Sequence, residues 1–330
     1  LFLYSIKVNK MTTLEKISLP VAEDLHRFKI AYRQSLHSSN PLLQEIVAHV
    51  TKSSEKMMRP ILVFLSAQLC GGVTEKTIRS AVALELLHVA SLIHDDVVDN
   101  SAERRGLPSV MAEFENKAAV LGGDFFLSTA LCEAVASQTL GVVETISNLG
   151  KILIEGEMLQ LTESRNPSFK EENYFSIIKC KTAALFSASS KLGAISAANQ
   201  TSENVEKLTK LGEYIGICFQ IKDDLLDLQP DNETGKPYGN DIQEGKITLP
   251  LLYSYNHASE EERKYISECI LERNVDKIIQ IVNENGGIEY ANMILGRYYS
   301  KAIKILEEFP ASPIKDSLEL YIEYLLSRKK

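Results

Sequence analysis

Apolar residues recur at helical spacing along nearly all of this 330-residue chain, and the residues that interrupt helices are sparse. There are 17 glycines and 10 prolines. The interruptions fall at Gly71-Gly72, Gly106 to Pro108, Asn166-Pro167, Pro230 to Gly245, Gly286-Gly287 and Pro310 to Pro313. Between them lie segments of roughly 15–40 residues, the length of single helices or helical hairpins. No strand-turn-strand signal, low-complexity tract or domain linker stands out. The pattern predicts an all-α, single-domain bundle of long antiparallel helices over residues 21–330. Residues 1–20 read as an N-terminal extension, disordered in part, within which Met11 is a candidate start.

Composition narrows what such a bundle can do. A formal net charge of -8 argues against a general nucleic-acid binder. It leaves room for a phosphorylated substrate, because a bound divalent metal inverts the local charge logic. Five cysteines (Cys70, Cys132, Cys180, Cys218 and Cys269) are scattered with no CxxC pair, which points to reduced thiols and a cytoplasmic protein. The apolar opening is too short for a membrane span, and no basic amphipathic helix offers a stable membrane anchor.

Two acidic clusters stand out against the apolar background. From Ala81 to Asp99 apolar residues run almost all the way round the helix, which marks a buried element. That segment nevertheless carries Glu85, His88 and then Asp95-Asp96-Val97-Val98-Asp99. A second apolar run, Tyr214 to Ile221, leads through Gln220 and Lys222 into Asp223-Asp224-Leu225-Leu226-Asp227. Six of the 12 aspartates lie in these two DDxxD clusters. At about 4% aspartate, one DDxxD is expected roughly 0.02 times in such a chain, so two are a poor accident. On a helix Asp95 and Asp99 share a face, as do Asp223 and Asp227. A solvated acidic face is the bland alternative, but like charges at that spacing next to apolar runs cost stability unless compensated. Hard carboxylate oxygens suit Mg²⁺, which shares its shell with water and substrate phosphates. Asp95, Asp96, Asp99, Asp223, Asp224 and Asp227 are therefore the candidate metal ligands.

Basic residues supply a second anion site. Lys56 and Arg59 read as one helical turn apart just before Pro60, and Arg104-Arg105 follow the first cluster by five positions. Arginine grips phosphate oxygens bidentately, while lysine is a point charge. His88 lies two turns before Asp95 and on its face. Lys181 is placed to neutralise a leaving diphosphate. The Thr182 hydroxyl and the Gln220 carbonyl can turn dipoles toward a developing cation. Each has an ordinary reading as a surface charge or helix-interior polar residue. The loop from Asp231 to Lys246, with Lys236, Asp241 and Lys246, reads as a lid that excludes water.

At these residues the sequence resembles the trans-isoprenyl diphosphate synthase (polyprenyl synthetase) family, from about Lys56 to Pro250. His94-Asp95-Asp96-Val97-Val98-Asp99 with Arg104-Arg105-Gly106 is similar to the first aspartate-rich motif. Phe219 to Asp227 is similar to the second, and Gly239-Asn240-Asp241 with Gly245-Lys246-Ile247-Thr248-Leu249-Pro250 to the closing loop. The resemblance implies that Lys56, Arg59, His88 and Arg105 hold isopentenyl diphosphate. It implies that Arg104, Lys181, Thr182, Gln220 and Lys246 hold an allylic diphosphate, with Lys236 in the same loop. Asp95, Asp99 and Asp223 would lead coordination of Mg²⁺, about three ions per site once diphosphate is bound. Ser54-Glu55 stand where the family usually has two glycines before the lysine.

The implied reaction ionises the allylic C–O bond, adds the double bond of isopentenyl diphosphate to the cation, and loses a proton. The product grows along a central elongation cavity. A helical turn rises about 5.4 Å, so Ser91, Ala90 and Leu87 should line successive depths below Asp95. Short-chain members place aromatic plugs at the first two depths. Here both are small, which predicts a medium- or long-chain product of the octaprenyl or solanesyl type, such as a quinone side-chain precursor. Phe125, Phe126, Ile146 and Leu149 are candidate floor residues. The resemblance also implies a homodimer. The alternatives are a short-chain farnesyl or geranylgeranyl synthase, a non-catalytic subunit of a heteromeric synthase, a class I terpene cyclase and a structural metal-binding bundle. The intact second cluster disfavours the cyclase, and the phosphate-directed arginines disfavour the structural bundle.

Overall fold

Among the residues it describes, 11–52, 56–165, 167–229 and 238–327, the computed structural model places the predicted interruptions at or between helix ends. The exception is a short helix, Asn240–Gln243, inside the stretch from Pro230 to Gly245. The fold is all-α. The chain forms two compact units: residues 1–151, 185–209 and 309–318 make one, and residues 152–184, 210–308 and 319–330 the other. The expected N-terminal extension lies partly outside the described residues. Its later part forms a short helix, Thr13–Ser18, closed by a Thr12–Glu15 capping box.

The first unit is organised around the helix Glu75–Val98. Thr74 and Thr77 form its capping box, and both threonine hydroxyls also donate to the Ser196 carbonyl, at 2.7 and 2.9 Å. Every residue from Ala81 to Ala90 is buried, as all-round apolarity requires. Val110–Ala136 packs most extensively against it, and Met58–Leu69 and Ala22–Ser35 also contact it. Val110–Ala136 is long and apolar enough to cross a membrane by length and composition alone. It is interrupted at Glu115, whose φ of 69° breaks the helical run. The helix Ala184–Ser196 meets Met58–Leu69 at Gly193, where a Cβ would overlap the Val63 carbonyl oxygen and lie 2.8 Å from Ser66 Cβ.

The second unit gathers Leu249–His257, Val275–Glu284 and Gly287–Glu307. One apolar cluster joins Tyr174, Ile178, Ile217, Ile221, Leu252 and Ile294. Another joins Ile242, Leu251, Ile266, Ile278 and Val282, which seats the short helix Asn240–Gln243 on larger ones. Gly287 lets its helix approach Leu249–His257 closely, since a Cβ there would overlap the Pro250 carbonyl oxygen.

One expectation needs correction. A small antiparallel hairpin pairs Glu103 with Pro108 and Arg104 with Leu107. Its two-residue turn is Arg105-Gly106, at φ 55° and 76°. Two left-handed residues make the primed turn that matches strand twist. A single glycine beside an arginine is a weak signal for it, which is why periodicity missed these strands.

Gly193→Ala should cost about 1–3 kcal/mol, because the helix crossing leaves no room for a methyl group. A urea titration would show it as a lower midpoint with an unchanged slope; an unchanged midpoint would mean the two helices separate freely.

Candidate active site

Asp95 and Asp96 end the buried helix Glu75–Val98, and Asp99 caps it, its amide donating to the Asp95 carbonyl at 2.8 Å. Left-handed Asn100 then turns the chain away. Asp95 is half-buried, Asp99 exposed and Asp96 buried. Burial of Asp96 is compensated by Arg104, whose Nε donates to Oδ1 at 2.8 Å and whose Nη2 reaches the same oxygen. The hairpin returns Arg104 to the helix end and leaves Arg105 exposed at the turn.

His88 is buried in the same unit, and its Nδ1 has no hydrogen-bond partner among the described residues. Burial, then Arg59, Arg105 and Arg104, push its pKa well below the ordinary value, so the imidazole is neutral near pH 7. A neutral, orphaned ring nitrogen within the field of three arginines fits an anionic ligand. The Arg59 guanidinium lies 5.7 Å from the centre of the Phe186 ring. The expected helical turn between Lys56 and Arg59 is corrected: the helix begins at Met58, and Met57 is left-handed with φ 50°. Pro60 belongs to the first turn, where its missing amide costs nothing, so Lys56 stays outside the helix on an exposed strand of chain. Ser54 and Glu55 lie outside the described residues.

On the helix below Asp95, Leu87 and Ala90 are buried and Ser91 is half-buried, its hydroxyl donating to the His88 carbonyl at 2.8 Å. A Cβ on Gly150 would stand 3.8 Å from Leu87. Phe126, Ile146 and Leu149 are buried in this unit, and Phe125 is half-buried.

In the second unit Lys181 and Thr182 do not sit in a regular α-helix. They occupy a π-helical segment, Lys179–Ala183, of the kind that often marks functional sites. Gly156 allows the neighbouring helix to approach it, since a Cβ there would lie 2.6 Å from Cys180 Cβ and 3.2 Å from the Lys181 amide nitrogen. The Lys181 ammonium pairs with Glu157 and donates to Gln160 Oε1 at 3.1 Å. Sequence reasoning missed both partners. The signal was a carboxylate and an amide three residues apart on one helix face.

Thr182, Gln220 and Asp224 are brought together. The Thr182 hydroxyl donates to Gln220 Oε1 at 2.6 Å, and Gln220 Nε2 donates to Asp224 Oδ1 at 2.8 Å. Tyr174, unforeseen from the sequence, donates its hydroxyl to Asp224 Oδ2 at 2.7 Å. Burial and then the Asp241 carboxylate raise the Asp224 pKa, against the pull of its two donors. Burial, with Asp224 behind it, also raises Tyr174 well above its ordinary value, so its hydroxyl remains a donor.

Asp223 is half-buried. Asp227 turns to the closing loop, its two oxygens accepting from the backbone amides of Asn240 and Asp241 at 3.1 and 3.0 Å. Lys246 pairs with Asp241 at 3.2 Å and Glu244 at 2.5 Å. Burial lowers its pKa, but the two carboxylates outweigh that and raise it. Lys236 and the rest of 230–237 lie outside the described residues.

Among the described residues no group of three or more His, Cys, Asp or Glu could hold a metal alone. Asp95 and Asp99 sit at a helix C-terminus, whose dipole favours a cation. A donor set of hard oxygens that stops short of a cage fits Mg²⁺, which completes its shell with water and phosphate oxygens.

The family model for polyprenyl synthetase matches residues 40–285. Octaprenyl diphosphate synthase of Escherichia coli is 34% identical over 310 residues, covering 92% of this chain and 96% of that protein. Among solved structures, a geranylgeranyl pyrophosphate synthase from Bacteroides thetaiotaomicron is 40% identical, with TM-score 0.83 over 96% of this chain and 100% of that one. A decaprenyl diphosphate synthase from Rhodobacter capsulatus is 30% identical, with TM-score 0.90 over 96% and 99%.

Asp227→Ala should free the amides of Asn240 and Asp241 at a cost of about 1–2 kcal/mol, as for loss of a helix cap. Hydrogen exchange at those two amides should accelerate while the Val275–Glu284 helix is unchanged. Equal protection in the variant would mean the loop is held from elsewhere.

Proposed function

The chain belongs to the polyprenyl synthetase family and is a prenyltransferase, and we propose that it condenses isopentenyl diphosphate head-to-tail with an allylic diphosphate. We propose a medium- or long-chain all-trans polyprenyl diphosphate as the product, a precursor suited to quinone side chains. The observation that carries this reading is the pair of aspartate clusters, each at the end of a long helix with its middle aspartate buried. An octaprenyl-forming relative and the small residues at Ala90 and Ser91 support the longer product.

Lys56, Arg59, His88 and Arg105 bind the diphosphate of isopentenyl diphosphate. His88, being neutral, donates a hydrogen bond without adding charge. Lys181, already oriented by Glu157 and Gln160, neutralises the departing allylic diphosphate together with Lys246, and Arg104 is a further diphosphate-binding residue. The oxygen dipoles of Thr182 and Gln220 stabilise the allylic cation. Asp95, Asp99 and Asp223 would hold Mg²⁺, which would supply Lewis-acid neutralisation of a diphosphate. Leu87, Ala90 and Ser91 give the growing chain an uncharged, water-poor wall.

We also infer a cytoplasmic homodimer. Leu121 and Val135, 65% and 64% exposed, stand about four turns apart on one helix face, an apolar stripe suited to a second copy. Leu121→Glu with Val135→Glu should sediment as a monomer; a variant that stays dimeric would put the contact elsewhere.

Incubation with Mg²⁺, isopentenyl diphosphate and farnesyl diphosphate tests the function, with product sizing as readout. A ladder well beyond four isoprene units is expected, and Ala90→Phe should shorten it by several units. Products stopping at four would replace the long-chain reading with a geranylgeranyl one, which the 40% identity to a geranylgeranyl synthase favours. No condensation, with dimethylallyl and geranyl starters also tried, would leave a non-catalytic subunit.

A further inference from the structure

The π-helical segment brings Thr182 to Gln220, but neither residue fixes the direction of the Gln220 amide. A hydroxyl can donate or accept, so Thr182 would tolerate either end of that amide. Asp224 does not. With its Oδ2 taken by the Tyr174 hydroxyl, Asp224 presents Oδ1 as the acceptor for Gln220 Nε2 at 2.8 Å, so the Gln220 amino group faces it and the carbonyl faces Thr182. The reverse orientation would set carbonyl oxygen against carboxylate oxygen. Gln220 and Asp224 are four residues apart on one helix face, which brings the two side chains together.

Asp224 is in turn held by Tyr174, whose hydroxyl donates to its second oxygen at 2.7 Å. Tyr174 comes from the helix Glu171–Ile178, in an apolar setting with Ile178, Ile221 and Leu225. That helix is itself pinned at its first turn, where the Tyr290 hydroxyl reaches both oxygens of Glu171 at 3.0 Å. The string therefore runs from Tyr174 to Asp224, from Gln220 to Asp224, and from Thr182 to Gln220.

We propose that Tyr174 is a positioning residue for prenyl transfer: by fixing the Asp224 carboxylate it sets the Gln220 amide, and so the oxygen dipoles that Gln220 and Thr182 turn toward the allylic cation. This rests on the prenyl-transfer reading above. Without the Tyr174 hydroxyl, Asp224 can rotate about its side chain, and the Gln220 carbonyl loses its fixed direction. The ring is still needed to fill its apolar site, so Tyr174→Phe removes the hydrogen bond and keeps the packing.

The test is a double-mutant cycle on the full chain with Mg²⁺, isopentenyl diphosphate and farnesyl diphosphate. Tyr174→Phe should lower kcat about ten- to a hundredfold with KM for isopentenyl diphosphate within about twofold of the parent. In a Gln220→Leu background the same substitution should cost less than about twofold, because the residue through which it acts is gone. A general loss of folded enzyme would cost the same in both backgrounds and would overturn the proposal, as would a Tyr174→Phe enzyme with parental kcat. Should Gln220→Leu be too slow to measure, the side-chain amide NMR signal of Gln220 decides. It should shift in Tyr174→Phe, and an unmoved signal would also overturn the proposal. If the parent chain itself fails to condense the two diphosphates, the prenyl-transfer reading falls with it, which the parent assay shows separately.

Discussion

A carboxylate cannot be buried at the end of an apolar helix unless something compensates it, and much of the candidate site depends on that constraint. Each DDxxD cluster buries its middle aspartate. Asp96 is answered by an arginine that would otherwise lie eight residues downstream in solvent. Bringing Arg104 back requires the chain to reverse within a few residues. The hairpin does so, through two left-handed positions that cost an arginine some backbone strain at φ 55°. Asp224 is answered without a cation, by the Tyr174 hydroxyl and the Gln220 amide. The two solutions differ in charge: the first leaves a neutral pair, the second a buried acid whose pKa is raised.

Close approach is the second device. Lys181 is held by Glu157 and Gln160, and that arrangement depends on Gly156, which puts no side chain between its helix and the π segment. A π turn widens the helix locally and alters the angular spacing of its side chains. Lys181 and Thr182 thereby serve different partners although they are consecutive in the chain: Lys181 reaches Glu157 and Thr182 reaches Gln220.

The legible and illegible parts of the sequence divide along physical lines. Helix ends marked by glycine or proline are visible, because those residues alter the backbone whatever surrounds them. Ends carried by other residues are not. Met57, Gln138 and Arg273 all adopt left-handed conformations at or near helix ends, imposed by their surroundings and without a composition signal. Likewise the aspartates, His88 and the arginines are legible as charges in apolar runs. Their partners are not, since Tyr174 lies 50 residues from Asp224 and only the fold brings the pair together. Counting alone puts Lys56 on a helix, and the proline four positions on, seated in the first turn, shows why the count fails.

The repeated motif also shows how far residue identity determines role. Asp99 and Asp227 hold the same place in DDxxD, yet one is exposed at a helix cap and the other is buried with both oxygens on backbone amides. The path of the chain beyond each cluster decides the difference. After Asp99 the chain turns through Asn100 into a hairpin whose own arginine returns to Asp96, so the last carboxylate stays at the surface. After Asp227 the chain returns as a short helix whose first amides lack helical partners, and the nearest carboxylate satisfies them. The acid that caps this helix is tied to the loop carrying Asp241 and Lys246. Two copies of one motif thus end in different tasks, because the first amides of a short helix lie beside Asp227.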